Sequence, residues 1–126
     1  MVTKNQKVGE VSTAAIADWL APWLPRWTRP QIARWLSERA HERAMCLVSQ
    51  HGLPVALGVV REENDGGLHV ECVVGDQALT WFLVNYLNQR WPDWRRRRLT
   101  MVRRGKVKPV SVRLIERFVV LLPGGG

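Results

Sequence analysis

The sequence predicts an α+β domain in which helices flank a mostly antiparallel mixed sheet. Three observations predict it: two consecutive segments with apolar residues at helical spacing, then β-rich runs separated by glycine turns, and then a third helical stripe that precedes another β-rich run. The 126 residues are enough to enclose one hydrophobic core. We expect residues 12–123 to form this single domain, after a flexible lead-in at 1–11 and before a flexible tail at 124–126.

Two helices are predicted in the first third of the chain. Ser12 or Thr13 can cap the first helix, and the prolines that follow Leu20 predict that its regular part ends near that residue. Residues 28–31 (TRPQ) fit a capping box that begins the second helix. At helical spacing, large aromatic side chains are better explained by core packing than by ligand stacking. The apolar stripe of the first segment consists of Ile16, Trp19, Leu20, Trp23, Leu24 and Trp27.

A meander of three antiparallel strands is predicted next. The β-rich runs are residues 44–49, 54–61 and 68–74. Gly52 provides the positive φ that a tight hairpin turn requires between the first two strands. A polar loop at 62–67 separates the second strand from the third.

The last part of the chain is predicted to add a helix, a strand and one further element. Asp76 can cap a third helix that runs to about Trp91, with a strand at 99–104 and a turn at 105–106 after it. For residues 110–122 the sequence pattern fits either a strand or a helix. Val110, Val112 and Leu114 alternate as in a strand, whereas Leu114, Ile115 and Phe118 follow helical steps.

The positive charge is concentrated in one part of the sequence. The net charge is +8, and residues 90–117 contain eleven Lys and Arg against only Asp93 and Glu116. A basic lobe of this kind attracts a polyanion, such as nucleic acid, an acidic protein, a phosphate-bearing cofactor or a membrane surface. It is also compatible with a solvated face that has no partner.

The composition predicts an intracellular protein, located in the cytoplasm or associated with a virion. No apolar run reaches the length of a membrane-spanning helix, and the first ten residues lack the apolar region of a signal peptide. Cys46 and Cys72 lack the paired spacing of a disulfide framework or a zinc site, so we expect two core cysteines and no metal.

The order helix, helix, three strands, helix, strand resembles the central part of the GNAT-like acetyltransferase superfamily fold. Residues 51–56 (HGLPVA), 90–93 (RWPD) and 105–107 (GKV) are similar to short motifs of its toxin-activating lysine acyltransferase type. The resemblance covers about residues 28–110. It implies transfer of an acyl group from acyl-CoA, or another acyl-thioester donor, to an amine of a protein or small molecule. The donor would lie beside strand 68–74 and the following helix.

The chain departs from the family pattern at two places. The family's Gly-rich pyrophosphate signature is replaced by residues 74–78 (VGDQA), which contain one glycine and an acid. No histidine precedes His41, although the toxin-activating type has one in its first helical segment. Both departures concern activity rather than fold.

His69 and Glu71 are the candidate catalytic bases. Regular alternation along the strand would place Leu68, Val70, Cys72 and Val74 on one face, and His69 and Glu71 on the other, about 7 Å apart. Either side chain could then take a proton from an incoming amine. The alternative is a polar pair on a solvated sheet face.

The candidate donor site is the start of the third helix. Main-chain N–H groups of Gly75, Asp76 and Gln77 would face the donor phosphates, and Arg103 and Arg104 would clamp them. Because Asp76 is an acid, capping its own helix is the simpler role.

The alternative function requires no catalysis. A catalytically silent GNAT-like module, of the type found in phages or mobile elements, would bind nucleic acid or assemble with protein partners. Trp91 or Trp94 would stack on bases. The cations that would line the nucleic-acid groove are Arg95, Arg96, Arg97, Arg98, Lys106 and Lys108.

Overall fold

The computed structural model describes residues 11–125, so the first ten residues of the predicted lead-in and the last residue of the predicted tail lie outside it. The α+β fold is confirmed, with five strands and helices on both sides of the sheet. The helices are α1 (Thr13–Leu20), α2 (Arg29–His41), α3 (Thr80–Arg90) and α4 (Val112–Glu116). The strands are β1 (Met45–Gln50), β2 (Leu53–Glu62), β3 (Leu68–Gly75), β4 (Leu99–Arg103) and β5 (Lys106–Pro109).

The sheet has the strand order β1-β2-β3-β4-β5, and its pairs are antiparallel except for the parallel pair β3–β4. The β1–β2 turn and the β4–β5 turn each have two successive residues with positive φ, His51 and Gly52 in the first, Arg104 and Gly105 in the second. This backbone matches the twist of the strands that it joins. The predicted mixed, mostly antiparallel sheet is therefore confirmed.

The predicted starts of α1 and α2 are confirmed by their caps. The Ser12 hydroxyl accepts a hydrogen bond from the Ala15 N–H at 3.1 Å. Thr28 and Gln31 form the reciprocal capping box, with bonds of 3.2 and 2.8 Å. After Leu20 the chain continues as a short 3₁₀ turn, since Pro22 cannot continue the α-helical hydrogen bonding.

The last third of the chain settles one alternative and adds one strand. Of the two alternatives for residues 110–122, the helix is present, as α4, and an unpredicted fifth strand precedes it in Lys106–Pro109. The cap of α4 decides for a helix, because the Ser111 hydroxyl accepts from the Leu114 N–H at 3.3 Å. The third helix is also shorter than predicted, with a 3₁₀ turn at Gln77–Leu79 before α3.

The prediction that side chains alternate regularly along β3 is wrong, because a β-bulge interrupts the strand. Neighbouring residues of β2 pair with Val70 and Cys72, which leaves Glu71 without a partner. Leu68 and Val70 therefore pack in the cluster under α3, whereas Cys72 and Val74 pack in the cluster under α1 and α2. One extra residue in a strand reverses the facing of those beyond it.

The sheet separates two hydrophobic clusters, one against α3 and α4 and the other against α1 and α2. The tryptophans of the predicted first stripe, Trp19, Trp23 and Trp27, are partly buried against the second cluster, which supports core packing. Within residues 11–125, no helix combines the length and the apolar character required to cross a bilayer.

Candidate functional site

The Glu71 carboxylate is held in an ion pair between helix and sheet. Arg39 of α2 donates from Nε to Oε1 and from Nη2 to Oε2, the latter at 3.2 Å. Arg61 Nε lies 3.5 Å from the same Oε1. The pKa of Arg39 is raised, chiefly by the hydrogen bond to Glu71. Both oxygens of the first candidate base are therefore committed to a structural contact.

The second candidate base, His69, is buried at the junction of β3 and β4. Its Nδ1 lies 2.8 Å from the Thr100 hydroxyl oxygen, and only 6% of the residue is exposed. Burial, together with the positive charge of Arg61, lowers the pKa of His69, so the imidazole is neutral at pH 7. A neutral imidazole can accept a proton, but this one has little open surface from which to meet an amine.

The predicted donor site at Gly75, Asp76 and Gln77 lacks a free anion cradle. The Asp76 carboxylate accepts from the Ala78 N–H at 2.9 Å, and the Asp76 N–H donates to Val55 O at 2.9 Å. Gly75 has φ +119 and packs so closely on the β2 backbone that a Cβ would overlap the Val55 carbonyl. The acid therefore caps its own helical turn, where it would repel a phosphate.

A gap opens between β3 and β4. Their parallel pairing includes only Leu68 with Leu99 and His69 with Thr100. Farther along β3, the chain segment that follows α4 lies in the gap, where Leu121 pairs with Val73. Acyl transfer of the GNAT-like type would need these two strands to separate so that the pantetheine arm of the donor can enter. The strands do separate, but this segment bridges the gap.

The arginine run 95–98 is mostly engaged in ion pairs. Arg95 binds Glu116, and Arg98 binds Asp65. Arg97 bridges Glu62 and Asp93 at 2.5 and 2.9 Å. This run, predicted as part of a nucleic-acid groove, therefore fastens the loop before β4 to the loop before β3.

The two tryptophans predicted to stack on bases are both buried. Trp94 is fully buried, and its Nε1 donates to Asn88 Oδ1 at 2.7 Å. Trp91 is 4% exposed and packs edge-on against Tyr86. The prediction that either indole stacks on a nucleic-acid base is therefore wrong.

The cations of the β4–β5 hairpin form a different kind of surface. They line one open hollow of about 590 Å³, and their residues are exposed. In the part of the chain that the structure describes, none of these cations has a carboxylate partner. We call this surface the hairpin groove; its lining consists of Met101, Arg103, Arg104, Lys106, Lys108, Pro109 and Leu114.

The predicted core cysteines are buried. Burial raises the pKa of Cys46 to about 12 and also raises that of Cys72. Neither thiol is therefore an activated nucleophile at neutral pH. Among residues 11–125, no group of three or more His, Cys, Asp or Glu side chains is placed to hold a metal ion.

Comparisons with protein-family models, with curated proteins and with solved structures each found no match to this chain. Sequence reasoning found the hairpin cations but missed the partners of the candidate bases, namely Arg39, Arg61 and Thr100. Helical spacing predicts only that Arg39 lies on the outward face of its helix. No local sequence signal connects Arg39 to Glu71, which lies 32 positions away.

Proposed function

We propose that this protein binds nucleic acid through the phosphate backbone, without base specificity, at the hairpin groove. The observation that carries the proposal is that Arg103, Arg104, Lys106 and Lys108 share one hollow and have no carboxylate partner in residues 11–125. Phosphate neutralisation by such cations provides most of the affinity in sequence-independent binding.

The pairing register supports the proposal. Arg103 lies directly opposite Lys106, and Lys108 lies two residues farther along the same strand. Like charges that face each other across two strands destabilise the pair. A phosphate between them would turn this repulsion into attraction. The hairpin cations therefore gain electrostatic stabilisation when an anion binds.

The position of the hairpin also suits a polymeric ligand. β5 is an edge strand of the sheet, and all four of its residues are exposed. A phosphate backbone can follow such an edge without entering a closed pocket. A nucleic-acid ligand agrees with the proposed location in the cytoplasm or in a virion.

The test compares two double variants that each remove two positive charges. Lys106→Gln/Lys108→Gln changes the hairpin groove, and Arg26→Gln/Arg34→Gln changes exposed cations outside it. Affinity for a fluorescent duplex and a single strand is measured by anisotropy at about 50 mM salt, where phosphate contacts contribute most. We expect the hairpin variant to lose about tenfold or more and the control less than about twofold. Equal losses would reject the hairpin groove as the site.

A second candidate function, acyl transfer from an acyl-thioester donor to an amine, is supported by the early divergence of β3 from β4. Arg103 and Arg104 would then hold the donor phosphates, and the neutral imidazole of His69 would take the amine proton, because the Glu71 carboxylate and the Asp76 main chain already have partners. The test is a titration with acetyl-CoA, which should raise the thermal midpoint by mass action. No stabilisation at saturating ligand would remove this candidate.

A further inference from the structure

The segment 119–122 completes the sheet where β4 leaves it. The Leu121 N–H donates to Val73 O at 2.8 Å, and the Val73 N–H donates to Leu121 O at 2.7 Å. On its other side, Val73 faces Gly58 of β2. Leu121 therefore occupies, in antiparallel orientation, the position that a neighbouring strand would take at the edge of β3.

This pairing is short and its N-terminal flank is open, whereas Leu122 on the other side packs partly buried against the cluster under α1 and α2. Leu121 makes an isolated bridge rather than a ladder, and the preceding residues Val119 and Val120 are 38% and 47% exposed. The Val119 N–H is directed back to Leu114 O of α4, at 3.2 Å. Apart from its partly buried side chain, the two main-chain bonds to Val73 are what fasten Leu121 to the sheet.

The space beneath the segment is not filled by side chains. A hollow of about 330 Å³ lies between the segment and β4, and its lining includes Met101, Val102, Arg103 and Leu114. Because this hollow is open to solvent, the segment lacks packing partners on that side. The segment is therefore held less firmly than the buried strands β2 and β3.

Phe118 separates the segment from α4. Its φ of +54 ends the helix in the left-handed region, and its residue is only 5% exposed. The ring belongs to the main hydrophobic cluster, so it can anchor α4 while the residues after it move.

We propose that residues 119–122 form a displaceable strand, and that the β3 edge beneath them is a docking site for an extended aliphatic peptide of another protein. The occupant's chemistry follows from the segment already seated there, Val-Val-Leu-Leu, which pairs through its main chain and fills the apolar hollow. Arg103 in the lining favours a peptide that carries a carboxylate beside its aliphatic residues. Strand addition at an open sheet edge is a general mode of peptide recognition. This inference goes beyond nucleic-acid binding and does not depend on it.

The first measurement is native-state hydrogen exchange on the unaltered protein. We expect the Val73 and Leu121 amides to exchange at least about tenfold faster than the β2–β3 ladder amides, and at a rate insensitive to low urea, as local opening requires. Exchange of these two amides at the rate of global unfolding would overturn the proposal. This measurement needs no variant and therefore no assumption about folding.

The second measurement uses two variants at one position. Leu121→Pro removes the N–H that donates to Val73, and Leu121→Ala keeps both main-chain bonds while shortening the side chain. We expect Val73 to lose protection in the first variant and largely to keep it in the second. A peptide with the sequence of residues 117–123 should then restore Val73 protection in Leu121→Pro. Failure to restore it, or restoration by coenzyme A but not by the peptide, would overturn peptide docking.

Discussion

The guanidinium of Arg39 and the carboxylate of Glu71 form a two-pronged ion pair that fastens α2 to the bulge of β3. Both side chains are largely buried, at 17% and 12% exposure. The bulge turns Glu71 toward α2, and the ion pair then fixes its orientation. The residue that sequence patterns favour as a base is thus a structural link between helix and sheet.

The variant Glu71→Gln is expected to lower the free energy of unfolding by about 2 kcal/mol, because it removes the buried counter-charge of Arg39 and leaves only more exposed carboxylates, such as Glu42 at 3.3 Å, as ion-pair partners. Urea denaturation of wild type and variant measures this loss. The matched control is Glu116→Gln, whose partner Arg95 is nearly half exposed, and here the loss should stay below about 1 kcal/mol. A Glu71→Gln protein of unchanged stability that has lost acyl-transfer activity would instead identify Glu71 as a catalytic base.

His69 is expected to make stability depend on pH. Burial lowers its pKa in the folded protein below the unfolded value of 6.5, so the unfolded chain binds the proton more readily. The contribution of His69 is therefore fully present above pH 6.5 and is lost as the pH falls through the folded pKa. Thermal midpoints of the wild type should decrease between pH 7.5 and 5.5, by about 2–5 °C.

The control for this pH effect is His69→Gln, which keeps a polar group near Thr100 but does not titrate in this range. Its thermal midpoint should change little between the two pH values. The carboxylates Glu62 and Asp65 have lowered pKa values because of Arg97 and of the Gly67 N–H, respectively, and they lose their contributions only at lower pH. A variant with the full wild-type slope would assign the effect to another group.

Gly58→Ala is expected to destabilise the sheet, because the added Cβ would lie 2.6 Å from Leu83 Cδ1 in α3. Leu83 is 2% exposed and has little room to move, so we expect a loss of about 1–2 kcal/mol in urea denaturation. The double variant Gly58→Ala/Leu83→Val separates this cause from strand propensity. It should lose less than the two single losses added together; simple additivity would show that the two side chains do not collide.

The features that could be predicted from sequence are local ones. The caps at Ser12 and Thr28 depend on residues three positions apart, and the turns at Gly52 and Gly105 depend on φ values that glycine adopts at little cost. The element order followed from these signals and from apolar periodicity. The strand β5 was missed because it has only four residues, all of them exposed, so its alternation is too short to be recognised and no buried face marks it.

The features that could not be predicted depend on contacts between distant parts of the chain. The bulge at Glu71 appears only when β3 is set against β2, and it reversed the predicted facing of Cys72 and Val74. The bridge from Leu121 to Val73 joins residues far apart in sequence and has no local pattern. The sequence shows that the β4–β5 hairpin is basic. It does not show that its cations lack ion-pair partners, because that depends on where the fold places the carboxylates.

The salt dependence of nucleic-acid affinity provides the most direct measure of the hairpin groove. Each cation that neutralises a phosphate contributes about 0.9 to the slope of log affinity against log salt concentration. Lys108→Gln should therefore reduce the slope by about one, because Lys108 lines the groove without an ion-pair partner in residues 11–125. Anisotropy titrations at about four salt concentrations, spanning roughly 50 to 200 mM, give the slope.

The control for the salt experiment is Arg97→Gln, because Arg97 already binds Glu62 and Asp93 and contacts Gly66 O at 3.0 Å. An arginine held by two carboxylates releases few counterions from DNA, so its removal should leave the slope nearly unchanged. The two substitutions remove the same formal charge. If both reduced the slope equally, binding would follow net charge alone, and the hairpin groove would have no particular part in it.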